Sequence, residues 1–163
     1  MSFEPQGTTE RLAFCLGVIR DVHLDDKKLS VAQSAFLEID YECRSISEAE
    51  HCLKEAGFEA FEAAMLALIF WNFRNRDRLP IFAKSIRGAI GIFKRFHCNN
   101  EKLLAAVRNF QETTYEEQTL QVAARCLENA GFVGDGVGLI AILLWYIKDS
   151  MWNILPKPEG CPL

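Results

Sequence analysis

The second half of the sequence repeats the first. Residues 11–74 align without a gap on residues 85–148, and 17 of the 64 aligned positions are identical. Most other aligned pairs keep their apolar or polar character, and unrelated helical segments rarely stay in register for so long. We therefore predict a tandem duplication, with repeats over about 9–79 and about 82–156 and a tail over 157–163.

Each repeat carries the sequence signals of four helices. Apolar residues recur with helical spacing, and no segment alternates with the period of two that a half-buried strand requires. The predicted helices of the first repeat cover about 9–24, 27–44, 45 onward and 59–76, and those of the second cover about 82–97, 101–117, 119 onward and 135–152. We predict an all-α fold of about eight helices, in which two pseudo-symmetric halves are fused into one compact domain.

Capping chemistry marks the helix starts in both repeats. Two aspartates at 25–26 and two asparagines at 99–100 suit the N-cap of each second helix. Ser45, followed by Glu48, forms a capping-box pattern at the start of the third helix, and Thr119 caps the copy.

The third helix of each repeat ends with the pattern of a Schellman motif. Gly57 suits the left-handed position after the helix, and Phe58 is then expected to contact Leu53. Leu127, Gly131 and Phe132 repeat the arrangement. Identical closures at both positions strengthen the prediction of a duplicated scaffold.

The fourth helix of each repeat is apolar on nearly every side. Residues 65–71 and 139–145 contain no charged side chain. Such helices are buried on most sides, so we predict that the two copies lie centrally and pack on each other or on the opposite repeat. Pro80 and Pro156 follow these helices and are predicted to stop them.

Composition narrows the setting in which the protein works. The formal net charge of −4 gives no general attraction to nucleic acid. Residues 1–9 do not resemble a secretory leader, and the apolar runs at 63–73 and 137–147 are shorter than the roughly 20 residues of a membrane-spanning helix. The six cysteines include no Cys-x-x-Cys pair and are expected to be reduced thiols. We expect a cytoplasmic protein without membrane contact.

Acidic and aromatic residues on the second helix form the first candidate site. Three residues of the first repeat are predicted to share a helix face, and three aligned residues repeat them: Glu38, Tyr41 and Glu42, then Glu112, Tyr115 and Glu116. Bundles that bind two metals use such carboxylates together with Glu-x-x-His. Glu48 and His51 supply that motif once, but Val122 and Arg125 replace it in the second repeat. We therefore interpret these residues as caps and interhelical hydrogen-bonding groups, and predict no metal and no cofactor.

The remaining chemical signals are weak. His23 and His97 are predicted to end the first helix of each repeat, where the helix dipole favours a cation. Cys52 and Cys126 fall on the apolar stripe of the third helix and are interpreted as core residues. The glycines of 134–138 lack the spacing and the preceding strand of a phosphate loop. We predict no catalytic residue and no enzyme.

Charge is segregated along the chain. Residues 74–95 have a net charge of +6 and residues 38–62 a net charge of −6. Candidate interaction residues in the basic stretch are Arg74, Arg76, Arg78, Lys84, Arg87, Lys94 and Arg95. Those in the acidic stretch are Glu48, Glu50, Glu55, Glu59 and Glu62. The repeats differ in these charges while they share core residues, which is typical of surfaces that recognise a partner. Solvated helix faces, or mutual neutralisation across the fold, are the alternative interpretation.

These observations favour a non-enzymatic protein that binds another protein through charged helix faces. Adaptors, regulators and toxin-immunity or secretion-accessory proteins belong to this class. One alternative is a regulator that responds to a ligand or metal near Glu38, Tyr41 and Glu42. A further alternative is nucleic-acid binding through residues 74–95, which predicts a steep dependence of affinity on salt. The sequence leaves open whether the protein is a monomer or a homodimer.

Overall fold

The fold was analysed in a computed structural model, which describes residues 5–96, 99–134 and 136–148. Those residues form eight α-helices, two short 3₁₀ turns and no strand, so the all-α prediction is confirmed. The helices are α1 (Pro5–Asp21), α2 (Asp26–Glu38), α3 (Ile46–Glu55), α4 (Ala60–Asn72), α5 (Leu79–Arg95), α6 (Asn100–Glu112), α7 (Leu120–Asn129) and α8 (Gly136–Lys148). The 3₁₀ turns cover Tyr41–Cys43 and Tyr115–Glu117.

The helix boundaries recur along the chain. In the alignment of residues 11–74 on residues 85–148, both ends of α2 and α3 and the end of α1 fall on the matching ends of α6, α7 and α5. The two 3₁₀ turns also coincide. Helix α8 differs, because its first residue, Gly136, aligns with Glu62 and not with Ala60, where α4 begins. The aligned segments therefore form the same local structure, except at the ends of α8.

The predicted caps are present at the helix starts. Asp25 accepts hydrogen bonds from the backbone N–H groups of Lys27 and Lys28, and Asn99 accepts one from that of Lys102. The hydroxyl groups of Ser45 and Thr119 accept from residues three positions later, at 3.1 and 3.2 Å. These side chains replace hydrogen-bond partners that the first turn of a helix lacks.

The predicted Schellman closures are also present. The N–H of Phe58 donates to the carbonyl of Leu53 at 3.1 Å, and the same bond joins Phe132 to Leu127. Gly57 and Gly131 have φ angles of 111° and 109°, which only glycine adopts without strain. The aromatic rings of residues 58 and 132 are buried, so each closure also fixes an apolar contact.

Helices α4 and α8 occupy the centre of the fold, as predicted. All residues from Ala63 to Phe70 are buried, and α4 contacts α8 directly. The indole rings of Trp71 and Trp145, which are aligned residues, stack with centroids 5.7 Å apart. A small apolar gap nearby is lined by four aligned pairs: Ile19 and Phe93, Met65 and Leu139, Leu68 and Ile142, and Ile69 and Leu143. Residues in equivalent sequence positions thus meet at the centre.

The outer helices cross between the two halves of the chain. Helix α1 packs against α6 and α2 packs against α5, while α1 and α5 also contact each other. Polar contacts accompany this exchange. Lys94 donates to the carbonyl of Arg20 at 2.7 Å, and Gln111 donates to the hydroxyl of Thr8 at 3.1 Å. The halves therefore bury a shared core instead of packing as separate bundles.

The prediction that the second helix reaches residue 44 is wrong. Helix α2 ends at Glu38 because the next residue adopts an extended conformation. The buried Arg44 guanidinium then donates to the carbonyls of Leu37, Ile39 and Arg74 at 2.7–2.9 Å, and to the Asp77 carboxylate at 2.8 Å. One arginine thus satisfies carbonyls at the end of α2 and ties them to the loop after α4. The predicted 101–117 helix ends at Glu112 in the same way.

Other predicted ends also shift. Helix α1 ends at Asp21 instead of residue 24, because Asp25 must be extended to cap α2. Helix α4 ends at Asn72 instead of residue 76, before Pro80 is reached. Pro80 does not stop α4, and instead occupies the first turn of α5, where its missing N–H has no helical partner to lose. Pro156, Asp135 and the predicted end at 152 lie outside the described residues.

Candidate functional site

A groove of about 440 Å³ opens between the second half of α1 and the start of α4. Residues 14, 17, 18 and 21 of α1 lie on one helical face and form one wall. The opposite wall consists of Glu59, Phe61 and Glu62. Phe14 is 58% exposed although its ring contacts that of Phe61 edge-on, with centroids 5.8 Å apart. The groove therefore has an apolar aromatic base that water reaches.

Three carboxylates surround this aromatic base. The Oδ1 atom of Asp21 lies 3.8 Å from the Nε atom of the neighbouring Arg20, and both side chains are exposed. Glu59 caps α4 by accepting from the N–H of Phe61 at 3.2 Å. Within the described part of the chain, the Glu62 carboxylate has no hydrogen bond or ion pair. The groove consequently combines an apolar surface with negative charge that the fold leaves largely unneutralised.

The described residues at the aligned positions of the second half differ in packing and in charge. Gly136 replaces Glu62, and a Cβ atom added there would lie 3.2 Å from Ile92 and 3.3 Å from Phe96. Gly136 therefore lets the start of α8 lie close to these α5 and post-α5 side chains. Arg95 replaces Asp21, so the charge at this face is reversed as well.

A second cleft, of about 490 Å³, lies between α1 and α6. It is lined by Thr9, Glu10, Ala13, Asn100, Glu101 and Leu104. At the aligned position between α5 and α2, Arg87 and Asp26 form an ion pair. Ala13 and Asn100 occupy the aligned positions in this cleft, so the ion pair is missing there. No exposed aromatic side chain is among the described residues that line the cleft.

The predicted acidic residues divide into two groups. Glu59 and Glu62 line the groove, whereas Glu48, Glu50 and Glu55 lie on α3 outside its lining. Glu50 is buried and pairs with Lys54 at 3.0 Å, which gives it a structural role. Phe14 and Asp21 were not predicted as site residues. From the sequence alone, an aromatic residue on an amphipathic helix cannot be distinguished from a core residue, and only the position of the neighbouring helix shows that it is exposed.

The predicted basic residues do not form one patch. Residue 78 precedes α5 and residue 95 ends it, about 25 Å away along a helix of this length. Four of the seven make internal contacts. Arg74 lies 4.1 Å from the centroid of the Trp71 ring and donates to its carbonyl, Arg87 pairs with Asp26, and Lys94 donates to Arg20. Arg76 lies over the ring of Phe73, and Arg78, Lys84 and Arg95 are exposed or partly exposed.

The predicted acidic and aromatic helix face does not exist. Because α2 ends at Glu38, Tyr41 and Glu42 lie on the following 3₁₀ turn, away from a common helix face. The aligned residues 112, 115 and 116 have the same placement. In the described ranges, no three histidine, cysteine or acidic residues are grouped so that they could hold a metal ion.

The histidine and cysteine predictions have mixed outcomes. His23 is exposed in the link after α1 instead of in the last turn of that helix, and His97 lies outside the described residues. Cys52 and Cys126 are buried, as predicted, and burial raises the pKa of both thiols. Burial also raises the pKa of Cys15 to about 11. These thiols therefore remain protonated at neutral pH and are poor nucleophiles.

Comparisons with known proteins give no relative from which a role could be transferred. No family model matches the chain, and no curated protein or solved structure matches it significantly. The candidate site consequently depends on its own geometry.

Over the described residues, no helix combines the length and the apolar character needed to cross a membrane.

Proposed function

We propose that this protein is a non-enzymatic protein-binding module that recognises its partner through the groove between α1 and α4. The observation that carries the proposal is the groove itself, in which a 58% exposed Phe14 lies beside carboxylates that the fold leaves largely unneutralised. Exposed aromatic side chains in a recess are typical anchors for protein interfaces. The class covers adaptors, regulators and toxin-immunity or secretion-accessory proteins.

The difference between the halves supports the proposal. The second half follows the same helix order with Gly88, Arg95 and Gly136 aligned with Phe14, Asp21 and Glu62, so that order does not require these groove residues. Exposing an aromatic ring gains nothing for folding, since burying it would stabilise the protein. A binding role explains why one half retains this feature.

Affinity capture from the native cell, followed by mass spectrometry, tests the proposal. The bait series comprises the wild type, the triple variant Glu55→Lys, Glu59→Lys and Glu62→Lys, and a basic-face variant with Arg76→Glu, Arg78→Glu and Lys84→Glu. Arg74 is left unchanged because it packs on Trp71. A specific partner that the acidic-face variant loses and the basic-face variant retains is the expected result. Equal retention by all three baits would contradict recognition through this face.

We also propose that the scaffold arose by tandem duplication, with the two halves related by a pseudo-twofold axis near the Trp71–Trp145 stack. The recurrence of helix ends and the meeting of aligned residues at the centre support this relation. Superposition of residues 11–74 on residues 85–148 in an experimental structure tests it. A rotation far from a half-turn would contradict the axis.

A further inference from the structure

The dimensions and charges of the α1–α4 groove indicate which kind of protein segment it can bind. Its α1 wall runs from residue 14 to residue 21, which is about 10 Å along a helix. A volume of about 440 Å³ over this length suits one large side chain with its flanking residues, not a whole helix laid end to end. The occupant is therefore a short segment with a single anchor.

The aromatic base defines the anchor. Phe14 and Phe61 meet edge-on and both line the groove, and Phe14 is 58% exposed to water. Apolar or aromatic side chains gain most from covering such a ring, because they remove apolar surface from water and add ring contacts. A large apolar residue is the anchor that this base fits.

The carboxylates define the residues beside the anchor. Glu59 and Glu62 lie one turn apart at the start of α4, and Asp21 lies on the facing helix. Anions on both walls favour lysine or arginine on both sides of the anchor, and they repel an acidic segment. Arg20 offers Asp21 only an exposed contact at 3.8 Å, which an incoming arginine can displace.

We propose that the groove binds a basic segment of a partner protein, in which one large apolar side chain is flanked by lysine or arginine residues. This inference rests on the proposed function and names the chemistry of the partner at the same site. The second half provides the contrast, because Arg95, Val133 and Gly136 stand at the positions of the three carboxylates and offer such a segment no negative charge.

The test uses fluorescein-labelled synthetic peptides and the intact protein. One peptide has a central Phe with two Arg on each side, a second replaces that Phe by Ala, and a third replaces the four Arg by Glu. Fluorescence anisotropy at low and at high NaCl concentration gives the dissociation constants. We expect the Phe–Arg peptide to bind at least about tenfold more tightly than either other peptide, with weaker binding at high salt.

Protein variants locate the binding site. Phe14→Ala is expected to weaken binding by about fivefold, and Glu62→Lys by about tenfold. Glu112→Lys is the control, since it makes the same change of net charge at an exposed position of α6 away from the groove. It is expected to leave the affinity within about twofold of wild type. Glu62→Gln, which keeps the side-chain size, guards against a folding artefact, and circular dichroism checks every variant.

Several results would overturn the inference. Equal weakening by Glu62→Lys and Glu112→Lys would mean unspecific attraction of a basic peptide to an acidic protein. Equal binding of the Phe and Ala peptides would contradict the proposed role of a large apolar side chain as the anchor. Sedimentation that shows self-association of the wild type, lost in Phe14→Ala, would assign the groove to a second copy of this chain. If cellular capture finds a partner that Phe14→Ala and Glu62→Lys retain, the protein-binding function stands and only the groove assignment fails.

Discussion

Between α1 and α4, an exposed Phe14 lies beside three carboxylates, whereas at the aligned face between α5 and α8 Gly136 lies close to Ile92 and Phe96. The two faces have the same helix order. They differ in a few side chains: Glu62 stands where the second half has a glycine, and Asp21 stands where it has Arg95. The first half therefore presents negative charge at positions where the second half has a glycine packed near Ile92 and Phe96, and an arginine.

The comparison extends to the polar interior. In the first half Arg44 and Gln33 are buried, and the aligned residues in the second half are Gln118, which is partly exposed, and Val107. The first half therefore buries two polar side chains, of which Arg44 is hydrogen-bonded and Gln33 is incompletely satisfied, where the second half has a less buried Gln118 and an apolar residue. Four substitutions, ordered by the size of the expected effect, test this difference.

Replacing Arg44 by Met should have the largest effect on stability. The substitution leaves three carbonyl groups without their donor, and each buried unsatisfied group costs about 1–3 kcal/mol. We expect the free energy of unfolding to fall by about 3 kcal/mol or more in urea titrations. The matched variant Gln118→Met should lose about half as much, because Gln118 donates to two carbonyls from a less buried position. Equal losses would contradict the proposed asymmetry.

Gly136→Leu places a large side chain where α8 lies close to Ile92 and Phe96. Its Cβ would lie 3.2–3.3 Å from these side chains, which must shift to admit it, so we expect a loss of about 1–2 kcal/mol of unfolding free energy. Glu62→Leu, at the aligned position of the open groove, should leave stability unchanged or slightly increased. Thermal unfolding compares the stabilities of the two variants. A Gly136→Leu variant as stable as wild type would contradict the close packing of α8 at this position.

Gln33→Val introduces into the first half the residue found at the aligned position of the second half. The Gln33 amide nitrogen is buried without a hydrogen-bond partner among the described residues, while the aligned Val107 is buried and apolar. Removing the unsatisfied group should raise the free energy of unfolding by about 1 kcal/mol. The reverse substitution, Val107→Gln, should lower it. Chemical denaturation of the pair checks both signs.

Asp25→Asn should change only the dependence of the unfolding free energy on pH in the acidic range. The backbone N–H of Lys28 donates to the Asp25 carboxylate and lowers its pKa below the ordinary value of 3.8. The ionised cap therefore stabilises the fold above that value, and its contribution is lost as pH falls through the lowered pKa. The variant matches the natural Asn99 cap, so its unfolding free energy should fall less steeply than that of wild type between about pH 4 and pH 2. Parallel pH profiles would contradict this role.

Local chemistry could be predicted from the sequence because both halves repeat it. Asp25 and Asn99 cap helices, and Gly57 and Gly131 close them, through bonds between residues that are close in sequence. Such interactions depend on neighbours along the chain, so spacing alone predicts them. The apolar core of α4 was equally predictable, since no face of that helix could tolerate water.

Tertiary contacts decided the helix ends and the site. Helix α2 ends at Glu38, where the Arg44 side chain folds back onto carbonyls at the helix end and also reaches the loop after α4, a contact that helical periodicity does not reveal. The prediction of a face containing Glu38, Tyr41 and Glu42 failed for this reason. Likewise, sequence singled out Glu59 and Glu62 by charge, but only the position of α1 placed Asp21 and Phe14 beside them.

The sequence by itself thus determined the helices, their caps, the buried centre and the recurrence of residues 11–74 in residues 85–148, because these follow from short-range bonds and hydrophobic periodicity. Only the tertiary structure decided that α1 crosses to α6, that Phe14 and three carboxylates line one groove, and that Gly136 lies close to Ile92 and Phe96. Those outcomes depend on side-chain volumes and charges that meet across elements far apart in the chain.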